Sequence, residues 1–113
     1  MTERMGGIAV VTGAASGMGL ASARRLAPLV DEVIVVDLDA DRTAPIATEL
    51  GATPFACDVT DAARVAALAD FARTRGRVRA IVHAAGISPT MAAPERIVDV
   101  DLRGTALVLQ AFD

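Results

Sequence analysis

The 113-residue sequence contains no tyrosine, no tryptophan and no lysine, so all 11 of its basic residues are arginines. A mechanism that needs a phenol or an amine to move a proton therefore cannot draw that group from this chain. Aromatic residues make up only 3% of the sequence, and the formal net charge is -3, with acids and arginines interspersed. Without a basic stripe or stacking aromatics, nucleic acid is not an expected partner.

Cysteine and long apolar runs are also scarce. Cys57 is the only cysteine, and a lone thiol provides neither an internal disulfide nor a metal cluster, so we expect no metal site. No apolar run reaches the roughly 20 residues that cross a bilayer, and the N-terminus lacks a signal-peptide pattern. The sequence therefore predicts a cytoplasmic protein that does not bind membranes, with residues 1–113 forming a single domain.

Short β-branched runs alternate with longer alanine-rich segments of helical period, which is typical of parallel strands joined by crossover helices. The predicted strands cover residues 8–11, 33–36, 53–57 and 80–83. The predicted helices cover residues 17–30, 40–50, 60–76 and 94–113, with Thr60 capping the third. Right-handed crossovers give the strand order 3-2-1-4, which is part of a Rossmann-type doubly wound α/β sheet.

One edge of this predicted sheet is unusually apolar. The fourth strand carries Ile81 and Val82, and the last helix presents one stripe to the core: Ile97, Val100, Gly104, Val108 and Ala111. Further strands and helices normally cover such an edge, so we expect the chain to be the N-terminal part of a larger domain.

The segment from Thr12 to Gly19, TGAASGMG, lies between the first strand and the first helix. Unpaired amides and the positive end of a helix dipole attract a diphosphate at such a place. Gly13 permits the tight turn, Gly17 removes a side chain that would hold the diphosphate away, and Gly19 allows close helix packing. An ordinary βα turn is the alternative interpretation of this segment.

Acidic residues follow the second and third predicted strands. Asp37 lies roughly twenty residues beyond the loop, where a carboxylate accepts hydrogen bonds from a ribose and repels a 2′-phosphate. This favours NAD, while nearby Arg42 leaves NADP as the alternative; Asp37 as a solvated helix cap is a third interpretation. Asp58 and Val59 are placed to contact an adenine. The small residues of His83-Ala84-Ala85-Gly86 allow a flat nucleoside to approach the fourth strand, unless they serve only tight packing.

These four segments in register resemble the N-terminal half of a short-chain dehydrogenase/reductase, and the resemblance covers essentially the whole chain. It implies a homo-oligomeric enzyme that moves a hydride between NAD(P) and a small-molecule alcohol or carbonyl substrate. The family's catalytic serine, tyrosine and lysine lie beyond the part represented here, so we expect this chain to bind dinucleotide weakly or not at all and to be inactive alone. The cofactor contacts that the resemblance implies are Gly13, Ser16, Gly17, Met18, Gly19, Asp37, Leu38, Asp58, Val59, Ala84, Ala85 and Gly86.

Three features depart from the family. His83 and Ala84 replace two asparagines, so side-chain bonds that tie the central strand to its surroundings are lost or replaced. The segment after Gly86 is shorter than usual. Asp101 stands where the family has an asparagine that supports a proton relay, and its spacing from Ile97 places it on the inward helix face. A buried carboxylate needs a partner, so Asp101 is our candidate catalytic residue, with a solvent-facing acid as the alternative.

Two other functions remain open at this point. A non-catalytic nucleotide-binding or interaction module would bind dinucleotide without turnover. A Rossmann-type methyltransferase also uses a glycine loop and acids after the second and third strands, although its glycine spacing differs. His83 and Cys57 are expected to be a hydrogen-bonded core group and a small buried hydrophobe.

Overall fold

The computed structural model of the protein describes residues 4–86 and 93–113. It contains a four-stranded sheet in the order β3-β2-β1-β4 with every pair parallel, which confirms the predicted fold class. The strands are β1 Ile8–Thr12, β2 Glu32–Asp37, β3 Thr53–Ala56 and β4 Val78–His83. The helices are α1 Gly17–Leu26, α2 Ala40–Leu50, α3 Ala62–Arg75, α4 Pro94–Val98 and α5 Thr105–Ala111, with a π-helical segment, Asp99–Gly104, between the last two.

The two central strands are buried on both faces because helices cover each side. Alternate residues point to opposite faces of a strand. Ile8 and Val10 accordingly pack with α3 and the C-terminal helical region, whereas Ala9 and Val11 pack with α1 and α2. This explains why the central strands are apolar at nearly every position.

Glu32 anchors the opposite end of the sheet from the glycine loop. Its carboxylate accepts a hydrogen bond of 2.7 Å from Thr53 Oγ1 and pairs with Arg75 at 3.0 Å. Burial opposes ionisation of this carboxyl, but the bonds from Arg75 and Thr53 prevail and lower its pKa. The first residue of β2 is thereby fixed to β3 and α3.

Two helix boundaries differ from the sequence prediction. Helix α1 ends at Leu26 rather than residue 30, because Pro28 has no N–H with which to continue the helical bonding. Helix α3 is capped by Asp61, whose side chain accepts from Arg64 N at 3.2 Å, and not by Thr60. The Thr60 hydroxyl instead donates to Asp58 at 2.7 Å.

The last helical region was predicted as one continuous α-helix, and the π-helical segment interrupts it. Val100, Gly104 and Val108 are buried as expected, whereas Ile97 and Ala111 are only partly buried. Gly104 lies against Val59: a Cβ on this glycine would be 2.6 Å from Val59 Cγ2. The close approach of helix and loop therefore requires a residue without a side chain.

No helix in residues 4–86 and 93–113 is long and apolar enough to span a membrane.

Candidate functional site

A cavity of about 370 Å³ opens at the carboxyl edge of the sheet, where all four strands end. Ligands of open α/β sheets bind at this edge. Of the residues predicted to contact a cofactor, all but Gly19 line the cavity, and Asp101 does not. The lining residues are Thr12, Gly13, Ser16, Gly17, Met18, Val36, Asp37, Leu38, Arg42, Cys57, Asp58, Val59, Ala84, Ala85, Gly86, Arg96 and Val100.

The three glycines of the loop meet different surroundings. Gly13 has a φ of 66°, and a Cβ there would be 2.7 Å from the backbone carbonyl of Ala84. Gly19 is buried, and a Cβ on it would overlap the carbonyl oxygen of Gly13, so the third glycine packs α1 on the loop itself. Gly17 has a φ of 59° and no atom within 4 Å of a Cβ position, which leaves open space beside its backbone.

The loop amides divide into two groups. Ala14 N donates to Val36 O at 3.0 Å and Ala15 N donates to Asp37 Oδ2 at 3.0 Å, so the start of the loop is tied to β2. Within the described chain, no hydrogen bond joins the amides of residues 16–19 to an acceptor outside the loop and its helix. First-turn amides of a helix have no intrahelical partner, and the helix dipole adds positive charge there. The cavity therefore meets a group of donors suited to an anion.

Asp37 connects this loop to the second strand. Its side chain is 13% exposed, and Oδ1 accepts from Leu38 N at 2.8 Å while Oδ2 accepts from Ala15 N. Each carboxylate oxygen can accept more than one hydrogen bond, so both keep capacity for a ligand's hydroxyl groups. Arg42 Nη1 lies 4.0 Å from Oδ1, which places a cation beside the Asp37 carboxylate on the same side of the cavity.

Asp58 lies on the β3 side of the cavity. Oδ1 accepts from Thr60 N at 2.9 Å and from the Thr60 hydroxyl, and Oδ2 is 3.6 Å from Arg96 Nη2. Burial raises the pKa of Asp58, but the bonds from Thr60 and the charge of Arg96 outweigh it and lower the pKa overall. The sequence analysis missed Arg96, because no local pattern shows that α4 reaches the end of β3.

The end of β4 is tied to the end of β1 through Thr12, a second residue that the sequence analysis missed. The Thr12 hydroxyl accepts from Ala84 N at 3.1 Å and from Ala85 N at 3.2 Å. The available signal in the sequence was a hydroxyl residue directly after the apolar run of residues 8–11, and the structure shows that Thr12 is fully buried. Gly13 and Ala84 are consequently in contact, and two of the predicted segments form one continuous floor to the cavity.

The structure corrects the predicted burial of Asp101, which is an exposed residue in the π-helical segment. The wider turn there does not follow the α-helical spacing from Ile97 on which the prediction rested. Asp101 Oδ1 nevertheless faces the end of the cavity floor, 3.1 Å from the position that a Cβ would take on Gly86.

Cys57 is buried as expected, whereas His83, predicted to be a hydrogen-bonded core group, is hydrogen-bonded but only partly buried. Cys57 is buried, and burial raises the pKa of its thiol from 9.0 to about 11. The His83 imidazole lies between the hydroxyls of Thr12 and Thr105. Among residues 4–86 and 93–113, no group of three histidine, cysteine, aspartate or glutamate side chains could hold a metal ion.

Comparison with known proteins places these features in a family. Residues 7–112 match the short chain dehydrogenase family. D-threitol dehydrogenase of Mycolicibacterium smegmatis is 39% identical over 94% of this chain and 46% of its own length. A 2-dehydro-3-deoxy-L-rhamnonate dehydrogenase (NAD(+)) of a Sphingomonas species is 38% identical over 88% of this chain and 44% of its own. A metagenomic short-chain oxidoreductase in complex with NADP superimposes with a TM-score of 0.81 at 29% identity, over 94% of this chain and 54% of that one.

The chain thus spans about half the length of the proteins it matches.

Proposed function

Since this chain belongs to the short-chain dehydrogenase/reductase family, we propose that it forms the dinucleotide-binding part of an NAD-dependent oxidoreductase. The substrate would be a small alcohol or carbonyl compound, and the working enzyme a cytoplasmic homo-oligomer. When bound, the nicotinamide ring would supply the hydride acceptor or donor.

The observation that carries the proposal is the position of Asp37. Its carboxylate is held at 3.0 Å from Ala15 N and lines the same cavity. Ala15 directly precedes residues 16–19, whose amides make no hydrogen bond to an acceptor outside the loop and its helix in the described chain. An anion-binding helix start beside a hydroxyl-accepting carboxylate matches a diphosphate linked to a ribose. The space beside Gly17 lets the diphosphate reach the backbone.

The remaining cavity residues fit the other parts of an adenosine. Asp58 Oδ2 is an acceptor for an adenine amino group and would exchange part of its contact with Arg96 for it. Met18 and Leu38, which are 80% and 60% exposed at the rim, would be covered by the ligand. Ala84, Ala85 and Gly86 offer a floor without long side chains. Gly19 would act indirectly, by packing α1 beneath the loop.

Charge favours NAD over NADP at the ribose wall, which is the side of the cavity formed by Asp37, Leu38 and Arg42. A 2′-phosphate would approach the Asp37 carboxylate, and Leu38 brings no compensating cation. Arg42, 4.0 Å from Asp37, is the specific feature that supports the alternative of NADP. The rhamnonate dehydrogenase is named for NAD(+), and the metagenomic oxidoreductase was solved with NADP. We therefore expect Asp37 and Arg42 to decide which of the two cofactors this chain prefers.

Hydride transfer needs groups that the sequence does not contain. Without a tyrosine or a lysine, the chain has no phenol or amine to exchange a proton with the substrate oxygen. We therefore expect no turnover by this polypeptide alone. Asp101 remains our candidate for a catalytic-site role, because its carboxylate faces Gly86 at the end of the cavity floor.

The proposal is tested by titrating the isotope-labelled protein with NAD, NADP and S-adenosylmethionine while following backbone amides by NMR. The sequence left open whether this chain binds dinucleotide weakly or not at all. Because Ala14 N and Ala15 N already hold the loop to β2, we expect weak binding of NAD rather than none, with shifts concentrated in residues 13–19 and 84–86, and weaker binding of NADP. The absence of any response to NAD, or stronger binding of S-adenosylmethionine, would overturn the proposal. NAD-dependent alcohol oxidation by the same 113-residue chain would contradict the expected lack of turnover.

A further inference from the structure

His83 bridges the sheet and the last helical region immediately before the cavity floor. Its Nδ1 is 2.7 Å from Thr12 Oγ1 on β1, and its Nε2 is 3.0 Å from Thr105 Oγ1 on α5. Both partners are hydroxyls, which can donate or accept, so distances alone do not say where the protons lie. The other bonds of the two hydroxyls decide the question.

The Thr12 hydroxyl has already used its two acceptor positions. Ala85 N donates to Oγ1, and Ala84 N shares its proton between Oγ1 at 3.1 Å and the Thr12 carbonyl oxygen at 3.2 Å. A backbone N–H cannot accept a proton in return. The single hydroxyl proton of Thr12 is therefore left for Nδ1 of His83. Because it receives that proton in a hydrogen bond, Nδ1 must be unprotonated.

The Thr105 hydroxyl gives an independent count at the other side of the ring. Its Oγ1 is 2.7 Å from the backbone carbonyl oxygen of Asp101, and a carbonyl oxygen only accepts. The Thr105 proton is therefore used in that bond, and Nε2 of His83 must be the donor. The two counts use different atoms and arrive at the same form of the ring.

We propose that His83 is a positioning residue for the dinucleotide site: a neutral imidazole, protonated on Nε2, that holds the cavity floor to the last helix through a one-way series of hydrogen bonds. Each group donates to the next, from Thr12 to His83, to Thr105, to the carbonyl of Asp101. The Thr12 hydroxyl at the start of the series holds the amides of Ala84 and Ala85. The part of the inference that concerns ligand binding rests on the proposed function.

The series has no place for a second proton on the ring. A proton on Nδ1 would face the Thr12 proton, and the hydroxyl oxygen cannot accept a third hydrogen bond without releasing an amide: either Ala85 N, or Ala84 N, which would keep its bond to the Thr12 carbonyl oxygen. Thr12 from β1 and Thr105 from α5 are the ring's hydrogen-bond partners. Asp101 joins the network through its carbonyl oxygen, and its carboxylate Oδ1 is 3.1 Å from the position that a Cβ would take on Gly86. Within the described chain, burial lowers the pKa of His83 and no charged side chain contributes to that shift.

The protonation state can be read directly, because His83 is the only histidine of the chain. NMR of the ¹⁵N-labelled ring near pH 7, without dinucleotide, should show a protonated Nε2 and an unprotonated Nδ1. Acidification below the ordinary histidine range should disturb the amides of Ala84 and Ala85 together with the ring signals. An imidazole protonated on Nδ1, or an imidazolium at neutral pH, would overturn the assignment.

A matched pair of variants tests the positioning role. Thr105→Ser keeps the hydroxyl, whereas Thr105→Val keeps the shape and removes it. We expect Thr105→Val to keep the proton on Nε2, because Thr12 still donates to Nδ1, but to remove the hydrogen-bonded shift of Nε2. The NAD concentration needed for half-maximal shifts at Ala84 and Ala85 should rise by about fivefold, the usual effect of one net hydrogen bond. Thr105→Ser should behave as the native chain does.

The outcomes separate this inference from the function on which it rests. Equal NAD responses of the two Thr105 variants, in a chain that binds NAD, would refute the positioning role alone. A native chain that has the expected ring form but gives no response to NAD would refute the proposed function, and the ligand-binding part of the inference with it, while the proton assignment would stand.

Discussion

The substitution Asp37→Asn removes one negative charge from the ribose wall with almost no change of shape. The Asp37 side chain is 13% exposed and its two oxygens accept from the amides of Ala15 and Leu38. An asparagine offers one acceptor oxygen in place of two, so one of these bonds is lost, at a cost of about 1 kcal/mol. NAD should bind more weakly as a result, because the loop is held less firmly and the ribose loses a charged acceptor.

The effect on NADP has the opposite sign. Two unit charges 4 Å apart interact by about 1 kcal/mol in water and about 4 kcal/mol at an effective dielectric constant of 20. The partly shielded wall lies between these limits, and Arg42, itself 56% exposed at 4.0 Å, offsets some of the repulsion. We therefore assign about 2 kcal/mol to the repulsion of a 2′-phosphate, so its removal should change the NADP-to-NAD affinity ratio by about 30-fold.

The assay is the amide titration described above, carried out with both dinucleotides on matched proteins. Asp39→Asn is the control, since it removes the same charge two residues away, where Asp39 caps α2 by accepting from Asp41 N at 2.9 Å. Asparagine caps a helix as well as aspartate, so α2 should be unaffected. We expect a ratio change of less than about twofold for this control. A similar ratio change in both variants, or none in Asp37→Asn, would show that the Asp37 charge does not select the cofactor.

Three features outside the ribose wall, at Glu32, Cys57 and Gly104, give predictions about stability and reactivity. Glu32→Gln should lower the free energy of unfolding in urea at pH 7 by about 1–2 kcal/mol, and Glu49→Gln, at an exposed ion pair with Arg24, should have a smaller effect. Because the pKa of Glu32 is lowered, its contribution is present above pH 4.5 and lost as the pH falls, so the difference between native protein and Glu32→Gln should shrink in acid; a constant difference would contradict this. Cys57, with a pKa raised to about 11, should react with a thiol reagent at pH 8 only after unfolding, and stoichiometric labelling of the folded protein would refute this. Its stabilising contribution should decline as the pH rises from 9.0 towards 11, and a free energy of unfolding that does not fall over this range would contradict that expectation. Gly104→Ala should destabilise the fold by about 1–3 kcal/mol because its Cβ meets Val59, and Val59→Ala should restore part of that loss; additive effects in the double variant would refute the contact.

The sheet was predictable because its strands obey local rules. Runs such as residues 8–11 and 33–36 are apolar on both faces, and only a doubly covered parallel strand accommodates that pattern. Helix ends were less predictable, since they depend on which of several neighbouring side chains forms the capping hydrogen bond. Thr60 and Asp61 are both suitable caps, and the outcome was decided by Asp58, which binds Thr60 and leaves Asp61 to cap α3.

The candidate site divides in the same way. Gly13, Gly17 and Asp37 could be identified because each sits at a fixed offset from a strand end. Arg96 could not, since its approach to Asp58 depends on where α4 docks, which no local pattern encodes. Asp101 was placed on the wrong kind of surface because an α-helical period was applied to a segment that is π-helical.

The bonds from Ala14 to Val36 and from Ala15 to Asp37 mean that the first half of the glycine loop is fixed to β2 before any ligand binds. A binding site that is already ordered loses little free energy to the ordering of a loop when its ligand binds. Capture should then be a rigid-body encounter of ordinary speed, about 10⁵–10⁷ M⁻¹ s⁻¹, for either dinucleotide. A preference for NAD over NADP would then appear as a difference in the dissociation rates of the two complexes.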